Sequence, residues 1–141
     1  MSVIVKTVTR LTVGLILLYG IYIVLHGHLT PGGGFAGGVI IALSLIHLVL
    51  AFGKQTALRR VSEPVMESFE SLGAVFFLAL ALLGFTGGHF FLNTLPKGTS
   101  FALFSAGLIP LCNIAICMKV AAGLFSIFIA IVLLKATSEK S

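Results

Sequence analysis

Short polar stretches separate four long hydrophobic runs, at about 11–25, 35–53, 72–92 and 101–134. A helix that crosses the hydrocarbon core of a bilayer needs about 20 mostly apolar residues. Each run reaches that length, the first one by including the mixed but mostly apolar residues before it. The pattern therefore predicts an all-α integral membrane protein with four transmembrane helices, at about 5–26, 32–53, 65–92 and 110–135.

The last hydrophobic run is longer than one span requires. As a single straight helix it would measure ~50 Å, against a hydrocarbon core of ~30 Å. Pro110 divides the run, and proline interrupts a helix interior because it lacks an N–H group. We expect a short half-inserted or surface helix at about 101–108 before the last span. A single tilted and kinked helix is the alternative.

Composition and charge agree with a membrane location. Only 9% of the residues are charged, and the mean hydropathy is +1.18, whereas soluble domains carry roughly 25% charged residues. Lys97 lies on one side of the predicted spans, and most other basic residues lie on the opposite side: Lys6, Arg10, Lys54, Arg59, Arg60, Lys135 and Lys140. The positive-inside rule then predicts a cell-membrane protein with both termini in the cytoplasm. The net charge of +5 reflects this bias and does not indicate a nucleic-acid partner.

The sequence offers little for metal, redox or covalent chemistry. Cys112 and Cys117 are its two cysteines, and on one helix they point ~140° apart, too far to pair or to share a metal. It contains no CxxC, no histidine cluster with zinc spacing and no iron–sulfur pattern. We therefore expect a non-catalytic chain that binds no cofactor or metal.

Lys119 is the most unusual single residue, because it lies ~13 Å into the last predicted span. A lysine at that depth is costly, and it is usually paired or placed in a water-filled cavity. No acidic residue lies within the four apolar runs, since Glu67 and Glu70 precede the third run, so we expect its counter-ion to come from water, a lipid headgroup or another polypeptide. Ion or proton transfer, a structural pair between subunits and snorkelling to the membrane surface remain open roles.

Two histidines are further candidates for an ion or proton pathway. His47 lies in the second predicted span, and His28 lies in the turn before it. Histidine titrates near physiological pH, although hydrogen bonds that serve only packing or the turn are equally open. The stripe of Glu63, Glu67 and Glu70 precedes the third apolar run. It is either a solvated helix start, a docking surface or an ion-collecting mouth.

A glycine-rich turn opens the second predicted helix. Gly33 and Gly37, like Gly34 and Gly38, are small residues four positions apart, a spacing that lets another helix approach closely. Helix packing is one interpretation of this motif. An anion site or a water path at the exposed N–H groups of the helix start is the other.

The run Gly-His-x-x-Pro-Gly-Gly-Gly-Phe-x-x-Gly, from Gly27 to Gly38, resembles the hallmark of the MnhB/MrpB family. The resemblance extends over the whole chain, with a similar size, four helices and the turn in the same place. It implies a small subunit of an Mrp-type multisubunit Na+/H+ antiporter, or of a related membrane-bound hydrogenase or other respiratory complex. The partners would be other Mrp-type membrane subunits within the lipid bilayer, and in a respiratory complex also redox subunits with Fe-S and Ni-Fe centres.

The resemblance implies that the chain helps to form the sodium-translocating part of such a complex, and the hydrogenase-like host is slightly favoured. A purely structural assembly subunit is the first alternative. A self-contained homodimeric transporter is the second, but such carriers usually need a carboxylate inside the membrane, and the four apolar runs contain none.

Overall fold

The structure, a computed structural model, describes residues 3–53, 63–99 and 105–138. These residues form four α-helices and no β-strand: α1 (Val3–Leu25), α2 (Gly33–Phe52), α3 (Glu63–Leu83) and α4 (Ile109–Ser138). Four segments are long and apolar enough to cross a membrane: Val3–Leu25, Gly33–Phe52, Pro64–Gly87 and Ile109–Leu134. The prediction of an all-α, multi-pass membrane protein is therefore confirmed.

The helices α2 and α4 form the centre of the bundle. Helix α2 packs against both α1 and α4, and α3 packs against the other side of α4. A core of Val49, Phe125 and Ile129 joins α2 to α4, and Met66 of α3 packs against it. Helices in lipid associate through close van der Waals contact, so the positions of small residues decide which faces meet.

Helix α3 ends earlier than the hydrophobic pattern predicts. The predicted helix extends to 92, whereas α3 ends at Leu83 and is followed by a 3₁₀ turn, Gly84–Gly87. The chain then folds back over the helix end, where the Phe91 N–H donates to the Ala81 carbonyl at 3.3 Å. A Cβ on Gly84 would lie 2.6 Å from the Phe91 nitrogen, so only glycine permits this return.

The short helix predicted at 101–108 falls partly outside the described residues, which resume at Ser105. Residues 105–108 form a turn, and α4 begins as one continuous helix at Ile109. Asn93 holds this turn, because its Nδ2 donates to the Ala106 carbonyl at 3.1 Å and its Oδ1 accepts from the Leu108 N–H at 3.2 Å. Pro110 consequently lies in the first turn of α4, where its missing N–H costs no helical hydrogen bond.

Candidate functional site

An ion pair lies between α3 and α4, within both spans. The Lys119 ammonium donates to Glu70 Oε1 at 3.3 Å. The expectation of a counter-ion from outside the chain is therefore wrong for Lys119. The error arose because Glu70 precedes the apolar run that begins at 72. The span itself begins at Pro64, so Glu70 lies ~9 Å along the helix.

Two glycines bring the partners of this pair together. A Cβ on Gly73 of α3 would lie 2.9 Å from both the Ala115 carbonyl oxygen and the backbone nitrogen of Lys119, so the two backbones are in close contact there. On α4, a Cβ on Gly123 would lie 3.7 Å from the Glu70 carboxyl carbon. The carboxylate thus extends over Gly123 to reach the ammonium one helical turn away.

The pair lies on the surface of the chain, with the side chains of Lys119 and Glu70 52% and 38% exposed. Between water-exposed partners such a contact is worth only ~0–1 kcal/mol. Inside a membrane the same charges attract each other far more strongly, because the surrounding dielectric constant is low. A carboxylate and an ammonium at this depth form the kind of group found along ion and proton pathways.

His47 lies elsewhere in the bundle, in the contact between α1 and α2. Its Nε2 is 3.2 Å from the Thr9 hydroxyl, and Thr9 is one of the most deeply buried side chains, at 2% exposure. This contact links two neighbouring helices, as a packing histidine does. The structure does not place His47 beside the Lys119–Glu70 pair.

His28 lies half-buried in the turn between α1 and α2. The turn is closed by backbone hydrogen bonds from the N–H groups of Leu29 and Thr30 to the His26 carbonyl, at 2.8 and 2.9 Å. The three candidate pathway residues therefore occupy three separate places. Lys119 is paired with Glu70, and His47 contacts Thr9.

The glycine motif of α2 faces two helices at once. On the α1 side, a Cβ on Gly37 would contact Val24 and lie 3.0 Å from the Gly20 carbonyl oxygen. On the α4 side, a Cβ on Gly38 would lie 2.9 Å from Val120 Cβ. Gly33 and Gly34 are also buried. The two overlapping glycine pairs thus allow close approach of both neighbours of α2.

Asn113 of α4 is a polar residue whose contact the sequence did not reveal. Its Oδ1 accepts the Gly34 N–H at 3.2 Å, and so it satisfies one of the free N–H groups at the start of α2. The residue before the helix, Gly32, has no side chain for this task, and its φ of 141° is one that glycine adopts most readily. An asparagine from another helix therefore takes the place of the usual N-cap side chain.

The other end of the Asn113 amide is less well satisfied. Its Nδ2 is buried and has no hydrogen-bond partner among the residues that the structure describes, and a Cβ on Gly27 would lie 2.7 Å from it. A polar residue in an apolar span is a visible signal in the sequence, but its partner Gly34 lies on α2, 79 positions earlier in the chain.

Within the described parts of the chain, no three histidine, cysteine, aspartate or glutamate residues lie close enough to hold a metal ion. The arrangement offers instead a glycine-packed turn, an asparagine cap and a membrane-depth ion pair. A family model described as a domain related to the MnhB subunit of Na+/H+ antiporter matches residues 4–126. The chain belongs to this MnhB-related family.

Relatives of the MnhB-related family are similar over different parts of the chain. An uncharacterized protein of Methanocaldococcus jannaschii is 40% identical over 117 residues, which cover 78% of this chain and 44% of that protein. A Staphylococcus aureus protein named as antiporter subunit mnhB2 is 43% identical over 57 residues, which cover 40% of each chain. The matched part of the chain therefore spans less than half the length of each of these relatives.

One solved structure resembles the whole bundle. A chain from the membrane-bound sulfane sulfur reductase, an archaeal respiratory membrane complex, superposes with a TM-score of 0.77 and 34% sequence identity. The match covers 90% of this chain and 56% of that one. The glycine turn, Asn113 and the Lys119–Glu70 pair all lie within the residues matched to the MnhB-related domain.

Proposed function

We propose that this chain is a small membrane subunit of an Mrp-type Na+/H+-translocating complex, and that the Lys119–Glu70 pair takes part in moving ions or protons through it. The observation that carries the proposal is an ammonium and a carboxylate 3.3 Å apart within two membrane spans. Charged groups at that depth are rare, and they commonly mark ion pathways or proton relays.

The pair has the chemistry that such a step requires. A proton that reaches Glu70 converts the carboxylate into a neutral acid and releases the Lys119 ammonium from its partner. A sodium ion that approaches the carboxylate oxygens competes with the same ammonium. In both cases the arriving cation changes which groups Lys119 contacts, so the charge state of the pair is coupled to ion occupancy.

We favour a respiratory complex as the host over a stand-alone antiporter. The likeness to the chain of an archaeal respiratory complex extends over 90% of this chain, whereas the likeness to the antiporter subunit mnhB2 extends over 40% of it. Purification of the native complex in mild detergent, followed by mass spectrometry, distinguishes the two hosts. Redox subunits with Fe-S or Ni-Fe centres support the respiratory host, and antiporter-like subunits alone contradict it.

The role of the ion pair is tested by replacing Lys119 with Met and Glu70 with Gln in the assembled complex. We expect both variant complexes to keep their subunit composition and to lose about tenfold or more of their ion transport in proteoliposomes, equivalent to about 1.4 kcal/mol in the transfer step. Leu124→Ala, at an exposed apolar position of α4, is the matched control and should transport normally.

Other outcomes support other functions. Variants of Lys119 and Glu70 that fail to assemble would identify a structural pair and a purely structural assembly subunit. Transport by the purified chain alone would instead support a self-contained homodimeric carrier. Glu70 would then supply the membrane carboxylate that such a carrier needs.

A further inference from the structure

The surfaces of the bundle differ in the residues that they expose at membrane depth. Helix α1 exposes an apolar stripe of Leu11, Leu15, Leu18 and Tyr22, which is suited to contact with lipid chains. The face formed by α3 and α4 instead exposes Lys119 and Glu70. We name the second surface the α3–α4 face.

The α3–α4 face is unsuited to lipid contact. Charged side chains within a span almost always face the interior of a bundle or a water-filled cavity. The pair lies on the surface of the described residues, so residues 3–53, 63–99 and 105–138 by themselves supply neither. A water-filled cavity would also need a second wall, and another polypeptide must provide that wall.

Small residues on α4 leave room for such a polypeptide. Gly123, Ser126 and Ala130 follow Lys119 at i+4, i+7 and i+11, so they lie on the same side of the helix. Ser126 and Ala130 line a groove of about 260 Å³ between α3 and α4. Because these three residues of α4 are small, a second helix can approach the α4 backbone closely along their side.

The charges of the face indicate the chemistry of its partner. Glu67 lies one helical turn before Glu70, is exposed and lines the same groove. Lys119 neutralises one carboxylate, which leaves the face with a net negative charge among its described residues. A complementary surface would carry a basic side chain.

We propose that the α3–α4 face is the interface with a membrane-spanning helix of another subunit, and that this helix carries a lysine or arginine opposite Glu67. The inference rests on the proposed function in one respect only, namely that the chain works inside a multisubunit complex. The inference adds that the α3–α4 face is the interface and that a positively charged side chain of the partner lies opposite Glu67.

The test is photo-crosslinking within the purified complex. A benzophenone amino acid replaces Ile127 on the exposed side of α4, and in a separate variant it replaces Leu18 on α1 as the matched control. The two positions have similar exposure, 59% and 65%. We expect Ile127 to form adducts with a membrane-spanning peptide of another subunit that contains lysine or arginine, and Leu18 to form adducts with lipid. Leu134, which is 72% exposed on the same side of α4, serves as a second labelling position should the Ile127 variant not assemble.

Three results would overturn the interface: adducts with lipid only, adducts with a second copy of this chain, or a partner span without a basic residue. Glu67→Lys should reduce the yield of the Ile127 adduct at least several-fold, whereas Glu67→Gln should reduce it less. An Ile127 site that crosslinks only to lipid, in a complex whose Lys119→Met variant has lost transport, would reject the interface and leave the proposed function standing.

Discussion

Two polar side chains of α4 act on different neighbours. Asn113 binds the start of α2, and Lys119, further along the helix, binds Glu70 of α3. Lys119 could be selected from the sequence because a basic residue stands out in an apolar run. Its partner could not, because Glu70 precedes the third apolar run and its contacts depend on how α3 and α4 pack. The same reason hid the contact between Asn113 and Gly34.

The cap at the start of α2 leads to a prediction for Asn113. Replacement with Ala removes the acceptor for the Gly34 N–H, and loss of an N-cap side chain typically costs about 1 kcal/mol. We expect Asn113→Ala to lower the temperature at which the purified protein loses its monodisperse peak in detergent. Ser71→Ala, at an exposed position of α3, is the control. Equal melting temperatures for the two variants would show that the bond adds nothing to stability.

At the scale of whole helices, hydrophobic patterning predicted the spans but missed the end of α3 and the turn before α4. The apolar run continues through Phe90, Phe91 and Leu92. Hydropathy therefore cannot distinguish a longer helix from an apolar segment that folds back over the end of α3. Phe77 and Phe91 pack with ring centroids 5.4 Å apart, which shows that the apolar residues after α3 serve tertiary contact. The start of α4 was predicted to within one residue, but the turn at 105–108 was not, because Asn93 fixes that turn from a distant part of the chain.

The packing of α2 on α4 predicts that Gly34 tolerates no side chain. A Cβ there would contact the Asn113 carbonyl oxygen and lie 2.8 Å from Asn113 Cα, and these backbone atoms cannot move aside without separating the helices. We expect Gly34→Ala to lower stability by about 1–3 kcal/mol, measured by thermal unfolding in detergent. The matched control is Gly14→Ala in α1, where a Cβ meets nothing within 4 Å.

The control should itself be informative. Alanine favours a helix interior over glycine by up to about 1 kcal/mol, so Gly14→Ala should leave stability unchanged or raise it. A Gly34→Ala protein as stable as the Gly14→Ala protein would mean that α2 and α4 are further apart than the structure shows.

At the scale of the molecule, the bundle exposes an apolar stripe on α1, whereas the α3–α4 face exposes the charged side chains of Lys119 and Glu70. The hydrophobic pattern could not predict this division, since all four spans are apolar by composition. It arises because α2 and α4 occupy the centre, which leaves Lys119 and Glu70 at the open side of the α3–α4 contact. The glycine motif indicated close packing around α2 but not which two helices would take part.

The distribution of basic residues makes a final prediction, about orientation in the membrane. An even number of spans places both chain termini on the same side of the membrane, and most basic residues lie on that side. We therefore expect cytoplasmic termini and a glycine turn exposed outside the cell. Thr30 is exposed in that turn. Thr30→Cys should therefore react with a membrane-impermeant maleimide in intact cells, and a green fluorescent protein fused to the C-terminus should fluoresce.

The native cysteines provide the background for this measurement. Cys112 is half-buried and Cys117 is buried, and both lie within the last span, so the unsubstituted chain should label weakly. Labelling of Thr30→Cys only after permeabilisation would place the turn in the cytoplasm and reverse the orientation. In that case Glu67, which lies nearer than Glu70 to the end of the bundle opposite the turn, would face the outside. The end of the α3–α4 face that holds Glu67 would then lie towards the outside of the cell, whereas in the expected orientation it lies towards the cytoplasm.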